Sequence, residues 1–316
     1  MYIGSMSEGD LHDVVLGWNA ALPHDQVSEE RFRQVMLEDA NYESESILVA
    51  RGNDGSVVGL SACVVRRTVK GKDGRGREGE FGRGYLKGLF VAEGEAEEAA
   101  ADVLLGAAES YCRGAGKEEM WVTQYAGPFV YPGIDVRYER LRETLARHGY
   151  RDRWTIEDTA VDLRDPRLAA RLERARAALK PELELLTWEP GMLPSMQRFV
   201  AEGDQPQWFP PGWESGFSEP RETALILRKG EEILGWAQYY PRQPRASFGP
   251  ILVLERLRGR GYGSVLLLEC MVRARESGVE QMWAGWANTP FYVANGWHIA
   301  RRYAVLTKEL GTEGKR

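Results

Sequence analysis

Residues 251–283 read ILVLERLRGRGYGSVLLLECMVRARESGVEQMW, and residues 89–121 read LFVAEGEAEEAAADVLLGAAESYCRGAGKEEMW. The two align without a gap at an offset of 162, Leu89 against Ile251. Val91 meets Val253, Glu93 meets Glu255, Val103-Leu104-Leu105 meets Val265-Leu266-Leu267, and Met120-Trp121 meets Met282-Trp283. Each stretch reads strand, loop, helix, turn, strand. An ungapped match of this kind marks an internal duplication, so two copies of one domain stand in tandem.

The copies differ where the loop enters the helix. Arg256–Ser264 is RLRGRGYGS, and its counterpart Gly94–Asp102 is GEAEEAAAD. Three glycines and three arginines face alanines and acids within a shared hydrophobic frame. The frame does not need the glycines, so they serve something only the second copy does. A helix N-terminus carries unpaired N–H groups and partial positive charge. Glycines let the backbone approach an anion closely. Together with Arg256, Arg258 and Arg260 they form a phosphate or pyrophosphate cradle, whereas Glu95, Glu97, Glu98 and Asp102 repel the same ligand.

The remaining composition sets bounds. The 316 residues suit two domains of ~150. Apolar residues are 43% and charged residues 28%, with a formal net charge of −6, which suits a globular protein and argues against a nucleic-acid partner. MYIGSMSEGD lacks the features of a signal peptide, and no apolar run spans a membrane. Cys63, Cys112 and Cys270 read as reduced core residues of a cytoplasmic protein. The histidines and cysteines have no zinc spacing, so no metal is expected.

Hydrophobic periodicity and turn signals place helices near Asp10–Ala21, Ser28–Leu37, Glu97–Arg113 and Val136–His148 in the first copy. Strands are expected at Ile47–Arg51, Val57–Val69, Leu86–Val91, Met120–Tyr125 and Tyr150–Leu163. The second copy repeats the order: strand Leu183–Thr187, helix Leu193–Ala201, hairpin Thr223–Arg228 with Ile233–Tyr240, strand Phe248–Leu254, helix Tyr262–Ser277, strand Gln281–Gly285, helix Pro290–Asn295, strand Trp297–Leu310. Asp165–Glu182 reads as an inter-domain linker helix. The expected domains are 1–164, linker 165–182 and 183–316.

The glycine loop is not a Walker loop, because no Gly-Lys-Ser/Thr ends it. Its G-x-G-x-G spacing and the hairpin before it differ from a dinucleotide-binding turn. A kinase glycine loop lies between two strands rather than before a helix.

Arg258-Gly259-Arg260-Gly261-Tyr262-Gly263 resembles the R-x-x-G-x-G motif of the GNAT superfamily of acyl-CoA-dependent N-acyltransferases. FYVANGW, Phe291–Trp297, looks like that family's second signature, and the element order is similar in both halves. The resemblance implies an α/β (α+β) fold of two tandem GNAT-like domains, each a mixed, mostly antiparallel sheet flanked by helices. It implies acetyl-CoA as cosubstrate, with the pyrophosphate on the amides of Arg258, Gly259, Arg260, Gly261, Tyr262, Gly263 and Ser264. It implies pantetheine pairing along Ile251, Leu252 and Val253, with Phe291 at the site and Tyr292 as general acid. Asn288 lies four residues before Tyr292 rather than the family's seven, and a coenzyme contact from it is expected on that shortened spacing. The first copy has Leu145 where the second has Tyr292, so it lacks both the cradle and the acid.

No general base stands out. Glu255 recurs as Glu93, which argues for a framework role. Asp204, Glu214 and Tyr239 lie where acceptor sites often form, but each reads first as a surface or packing residue. The run Gly203–Phe217 reads either as an aromatic wall of the acceptor pocket, with Trp208, Phe209, Trp213 and Phe217, or as a packed loop. Trp236, Trp283 and Trp286 read as core by strand placement, and Lys70–Gly84 as a loop between strands. The leading expectation is an acetyl-CoA-dependent N-acetyltransferase acting on a small-molecule amine rather than a protein, as a monomer or homodimer. The alternative is a non-catalytic coenzyme-A-binding regulatory or scaffold protein, and an ordinary nucleotide-binding enzyme stands third.

Overall fold

The computed structural model describes residues 1–311 except 73, 75, 95, 96, 178, 206, 207, 210 and 211. Parts of two expected loops, Lys70–Gly84 and Gly203–Phe217, and Glu95 of the acidic counterpart loop therefore lie outside the described residues. Contacts divide the chain into two compact units. One is Met1–Ile156 together with the C-terminal residues from Arg302; the other is Glu157–Arg301.

The first unit begins with β1 (Tyr2–Ser5), α1 (Leu11–Ala21) and α2 (Glu29–Phe32), the last continuing into a π-helical turn, Arg33–Leu37. Ser28 caps α2 by accepting the Arg31 N–H, which is why the helix starts there. Then come β2 (Ile47–Arg51), β3 (Val57–Val65), β4 (Arg83–Val91), α3 (Glu97–Gly114), β5 (Glu119–Val122), β6 (Ile134–Asp135), α4 (Glu139–Arg147) and β7 (Arg151–Asp162). β1 to β4 pair antiparallel in sequence order, and β4 runs parallel to β5. α1 and α3 pack on these strands, and the core gathers Trp18, Phe32, Phe90, Leu105 and Leu145.

The second unit holds the end of β7, then α5 (Leu168–Ala177), β8 (Glu184–Trp188), α6 (Leu193–Glu202), β9 (Arg221–Lys229), β10 (Glu232–Arg242), β11 (Arg245–Val253), α7 (Tyr262–Glu276), β12 (Gln281–Ala284), α8 (Thr289–Ala294) and the first residues of β13 (His298–Glu309). β8 to β11 are antiparallel, and β11 runs parallel to β12. β4 and β11, and β5 and β12, share the same bounds at the offset of 162, and their parallel pairing starts at the same residues: Arg83 with Glu119, Arg245 with Gln281. The duplication read in the sequence is a duplication of registered strands.

Three features depart from expectation. β7 closes the second unit rather than the first: Asp162, Val161, Ala160 and Thr159 pair with Gln281 to Ala284 of β12. β13 does the reverse, pairing from Tyr303 onward with β6 and β5 of the first unit. The two copies have exchanged closing strands, so the units are not bounded at 164 and 183. The helix expected as a linker is part of the second unit's core, where α5 buries Leu168 and Leu172 against α7. Its apolar stripe, Leu168 and Leu172, has the i, i+4 spacing of a packed face.

Candidate active site

The parallel pairing of β11 with β12 stops at Ser247, while pairing with β10 continues to Val253. The edge from Phe248 to Val253 is therefore open on its β12 side. A cavity of about 830 Å³ fills the opening. Its walls are that strand edge, the loop and first turn of α7, the segment Gly285–Asn288, and the face of α8 carrying Phe291 and Tyr292. Of the residues the sequence marks, Ile251, Leu252, Val253, Arg258, Gly259, Gly261, Tyr262, Gly263, Ser264, Asn288, Phe291 and Tyr292 line it. Arg260 does not; it is exposed at the loop.

The glycines perform a backbone task. Gly259 and Gly261 have φ of 76° and 82°, and Gly261 is the N-cap of α7. That conformation costs an L-residue ~1–2 kcal/mol. No side chain caps the helix, and the first described donor to find a backbone acceptor is Val265, which bonds Gly261. The Arg258 N–H, expected at the cradle, donates instead to the Glu255 carbonyl at 3.1 Å, which leaves the amides between Arg258 and Val265 for an anion.

The arginines divide into two kinds. Arg256 pairs with Glu202 and Glu232, and Arg258 donates to Asp204 at 2.6 Å and to the Val253 carbonyl at 3.2 Å. Arg258 holds the Asp204 carboxyl below its ordinary value. These two side chains brace the loop. Among the described residues Arg260 has no such partner.

Tyr292 is 6% exposed and is ringed by Phe248, Phe291 and Trp297 at centroid distances of 6.1, 5.2 and 5.0 Å. Burial, with a smaller contribution from Cys270, pushes its phenol up, so the proton stays on at neutral pH. Asn288 is the N-cap residue of α8 but makes no capping bond, which leaves its amide to the cavity.

The acceptor side differs from several expectations. Asp204 is tied to Arg258, and neither Glu214 nor Tyr239 lines the cavity. In the aromatic loop, Phe209 and Phe217 are core residues against Trp236, with ring centroids 5.4 and 5.5 Å apart, and among the described residues of the loop only Trp208 and Gln205 reach the cavity. Trp236 is core as expected, but Trp283 is 36% exposed and Trp286 57% exposed. Trp286 lines the cavity with φ of 52°. β12 ends at Ala284, which frees Trp286 from the alternation that suggested a core position. Phe248, Gly249, Pro250, Gly285 and Trp286 are lining residues that the motifs do not mark. Among the described residues, no group of three or more His, Cys, Asp or Glu could hold a metal ion, and no helix is long and apolar enough to cross a membrane.

An open strand edge beside a glycine-capped helix, in a duplicated mixed sheet, is the arrangement that the sequence resemblance implies. Residues 183–297 match the model of the acetyltransferase (GNAT) family. The whole chain has the tandem GNAT fold. It resembles the GCN5-related glucosamine N-acetyltransferase region of a fungal multi-domain GH3 β-N-acetylglucosaminidase at a TM-score of 0.71 and 16% identity, over 97% of this chain and 38% of that one. It resembles a GCN5-related N-acetyltransferase from Sphaerobacter thermophilus at 0.66 and 17%, over 98% and 95%. It resembles a tandem GNAT protein from the clavulanic acid biosynthesis pathway at 0.60 and 16%, over 99% of both chains. The chain thus spans 38% of the length of the first of these. At such identities the likeness concerns the fold. No curated protein matches the chain.

Proposed function

We propose that the chain is an N-acetyltransferase that moves the acetyl group of acetyl-CoA to the amine of a small molecule, with the second unit as the acting copy. The observation that carries this reading is the convergence of bare helix amides, an open strand edge and a buried tyrosine hydroxyl on one cavity. The residues present suit acetyl-CoA. The amides of Gly259–Ser264 would hold its pyrophosphate, with Arg260 drawing the anion in, and the edge Phe248–Val253 would pair with its pantetheine amides. A cavity of about 830 Å³ lies in the range of small-molecule sites.

Acetyl-CoA supplies an activated thioester carbonyl. A neutral amine attacks that carbon, forming the C–N bond as the C–S bond breaks, and the amine's surplus proton passes to solvent. Tyr292 donates its phenolic proton to the departing sulfur. The desolvation that pushes the phenol up also raises a thiolate in the same cavity, so the two remain matched. The apolar walls, Phe248, Phe291 and Trp286, exclude water and so disfavour hydrolysis.

The second reading, a coenzyme-A-binding protein without turnover, is favoured by one observation: no carboxylate or imidazole is among the cavity's described lining residues. Release of free thiol from acetyl-CoA, measured across a panel of small amines, separates the two. Amine-dependent thiol release supports the enzyme. Tight acetyl-CoA binding with no release for any amine supports the second reading, and protection by ATP or NAD but not acetyl-CoA overturns both.

A further inference from the structure

The wall that runs from Gly285 to Asn288 leaves the β12 ladder at Ala284 and leads directly into α8, which carries Tyr292. It turns through Trp286 in the left-handed region, where a bulky residue needs support from its surroundings. The support comes from residues of β7. The Trp286 N–H donates to Asp158 Oδ1 at 3.0 Å, and the Ala287 N–H donates to the Glu157 carbonyl at 2.9 Å. Asp158 is 4% exposed, and a Cβ at Gly285 would lie 3.3 Å from the same oxygen. A buried carboxylate is costly to keep, and a charged acceptor gives a stronger bond than a neutral one.

The sister copy provides an internal control. At the offset of 162, Gln124 stands opposite Trp286, and it too is left-handed, with φ of 58°. Its neighbour Thr123 donates through Oγ1 to the Pro132 carbonyl at 2.7 Å, and the Gln124 amide donates to the same oxygen. The brace there is the long segment after β5. β7 and β13 are of equal length at an offset of 147, so Val305 stands where β7 has Asp158. The kink is common to both copies; a buried carboxylate braces it only where the long segment is missing and the cavity is present.

We propose that Asp158, contributed by the closing strand of the first repeat, is a positioning residue of the second unit's acetyl-transfer site: it holds the Trp286 turn and so sets the wall leading to Tyr292. This rests on the coenzyme reading above. It also assigns the first repeat a task in catalysis, although its own loop has neither the glycine cradle nor the tyrosine.

The test compares wild type, Asp158→Val and Asp158→Asn. Valine is the residue the sister strand carries at this position, and asparagine keeps an acceptor oxygen for the Trp286 N–H. The expected result for Asp158→Val is a kcat lower by ~10-fold or more, with the acetyl-CoA Kd within about threefold of wild type. Asp158→Asn recovers most of that loss. Amide hydrogen exchange at Trp286 is read in parallel without any substrate, and Asp158→Val speeds it by ~10-fold or more. An Asp158→Val chain with wild-type kcat, or Val and Asn variants equally impaired, overturns the positioning role. Unchanged Trp286 exchange overturns the brace itself. If wild type neither binds acetyl-CoA nor releases thiol, the coenzyme reading fails and the catalytic role falls with it, while the exchange data still report on the brace.

Discussion

The N-termini of α3 and α7 are the same structural position treated in two ways. At α3 the first turn carries Glu97 and Glu98, which favour the helix dipole on their own. Basic side chains then cover the acids: Arg140 pairs with Glu97 and, at 3.0 Å, with Glu93; Arg147 lies 3.8 Å from Glu98, and His148 3.0 Å from Asp102. The segment following β5 also brings Tyr131 into the core, stacked on Trp18. At α7 no acid and no side-chain cap occupies the position, two left-handed glycines delay the helix, and a cavity stands before it. Acids and their basic partners gather at the first terminus, and a cavity stands before the second. The difference lies in a few loop residues, since the strands and helices around them coincide in register.

The largest expected effect comes from giving α7 the character of α3. Gly261→Glu adds an acid at the cradle and a side chain at φ 82°. Acetyl-CoA affinity measured by calorimetry falls at least ~100-fold, with a strain cost of only ~1–2 kcal/mol, so the variant still unfolds cooperatively. Retained affinity would mean that the cradle is not the coenzyme site.

Tyr292→Phe comes next. Its kcat falls ~100-fold or more while acetyl-CoA affinity stays within about threefold. The pH dependence carries a sign. The acid must be protonated to act, and burial raises the phenol. Activity should therefore not decline on the alkaline side until above the ordinary phenol value of ~10. A decline centred near pH 8 that survives Tyr292→Phe would assign the acid elsewhere.

The smallest effects separate the arginines. Arg260→Ala weakens acetyl-CoA by ~10-fold and flattens the salt dependence of binding, because it removes the unpaired cation. Asp204→Asn releases Arg258 from its ion pair and tightens binding by ~2-fold, in keeping with the small worth of an exposed pair. A larger loss for Arg256→Ala than for Arg260→Ala would reverse this division.

Much of this comparison was legible in the amino-acid sequence, for a physical reason. The duplicated frame is hydrophobic and periodic, so β4, β11, β5 and β12 could be aligned from Val91 with Val253 and Met120-Trp121 with Met282-Trp283. The glycine cradle was visible because left-handed backbone demands an unusual residue. The exchange of closing strands was not visible. β7 and β13 meet partners with the same Met-Trp core, so the alternation fits either copy equally and pattern alone cannot choose. The brace at Asp158 was hidden with it, because it lies far from Trp286 in sequence. The roles of Arg256 and Arg258 were missed because charge density does not reveal that Glu202, Glu232 and Asp204 already engage them. Trp286 was misplaced because the strand ends at Ala284, one residue earlier than expected, and the chain then turns through Trp286.

The central claim is that only one of the two sister helices receives the coenzyme. Calorimetric titration of the full chain with acetyl-CoA tests it most directly. The predicted result is one molecule bound per chain, lost in Gly261→Glu and unaffected by Glu98→Ala at α3. Two molecules per chain, or a single site that survives Gly261→Glu, would contradict it.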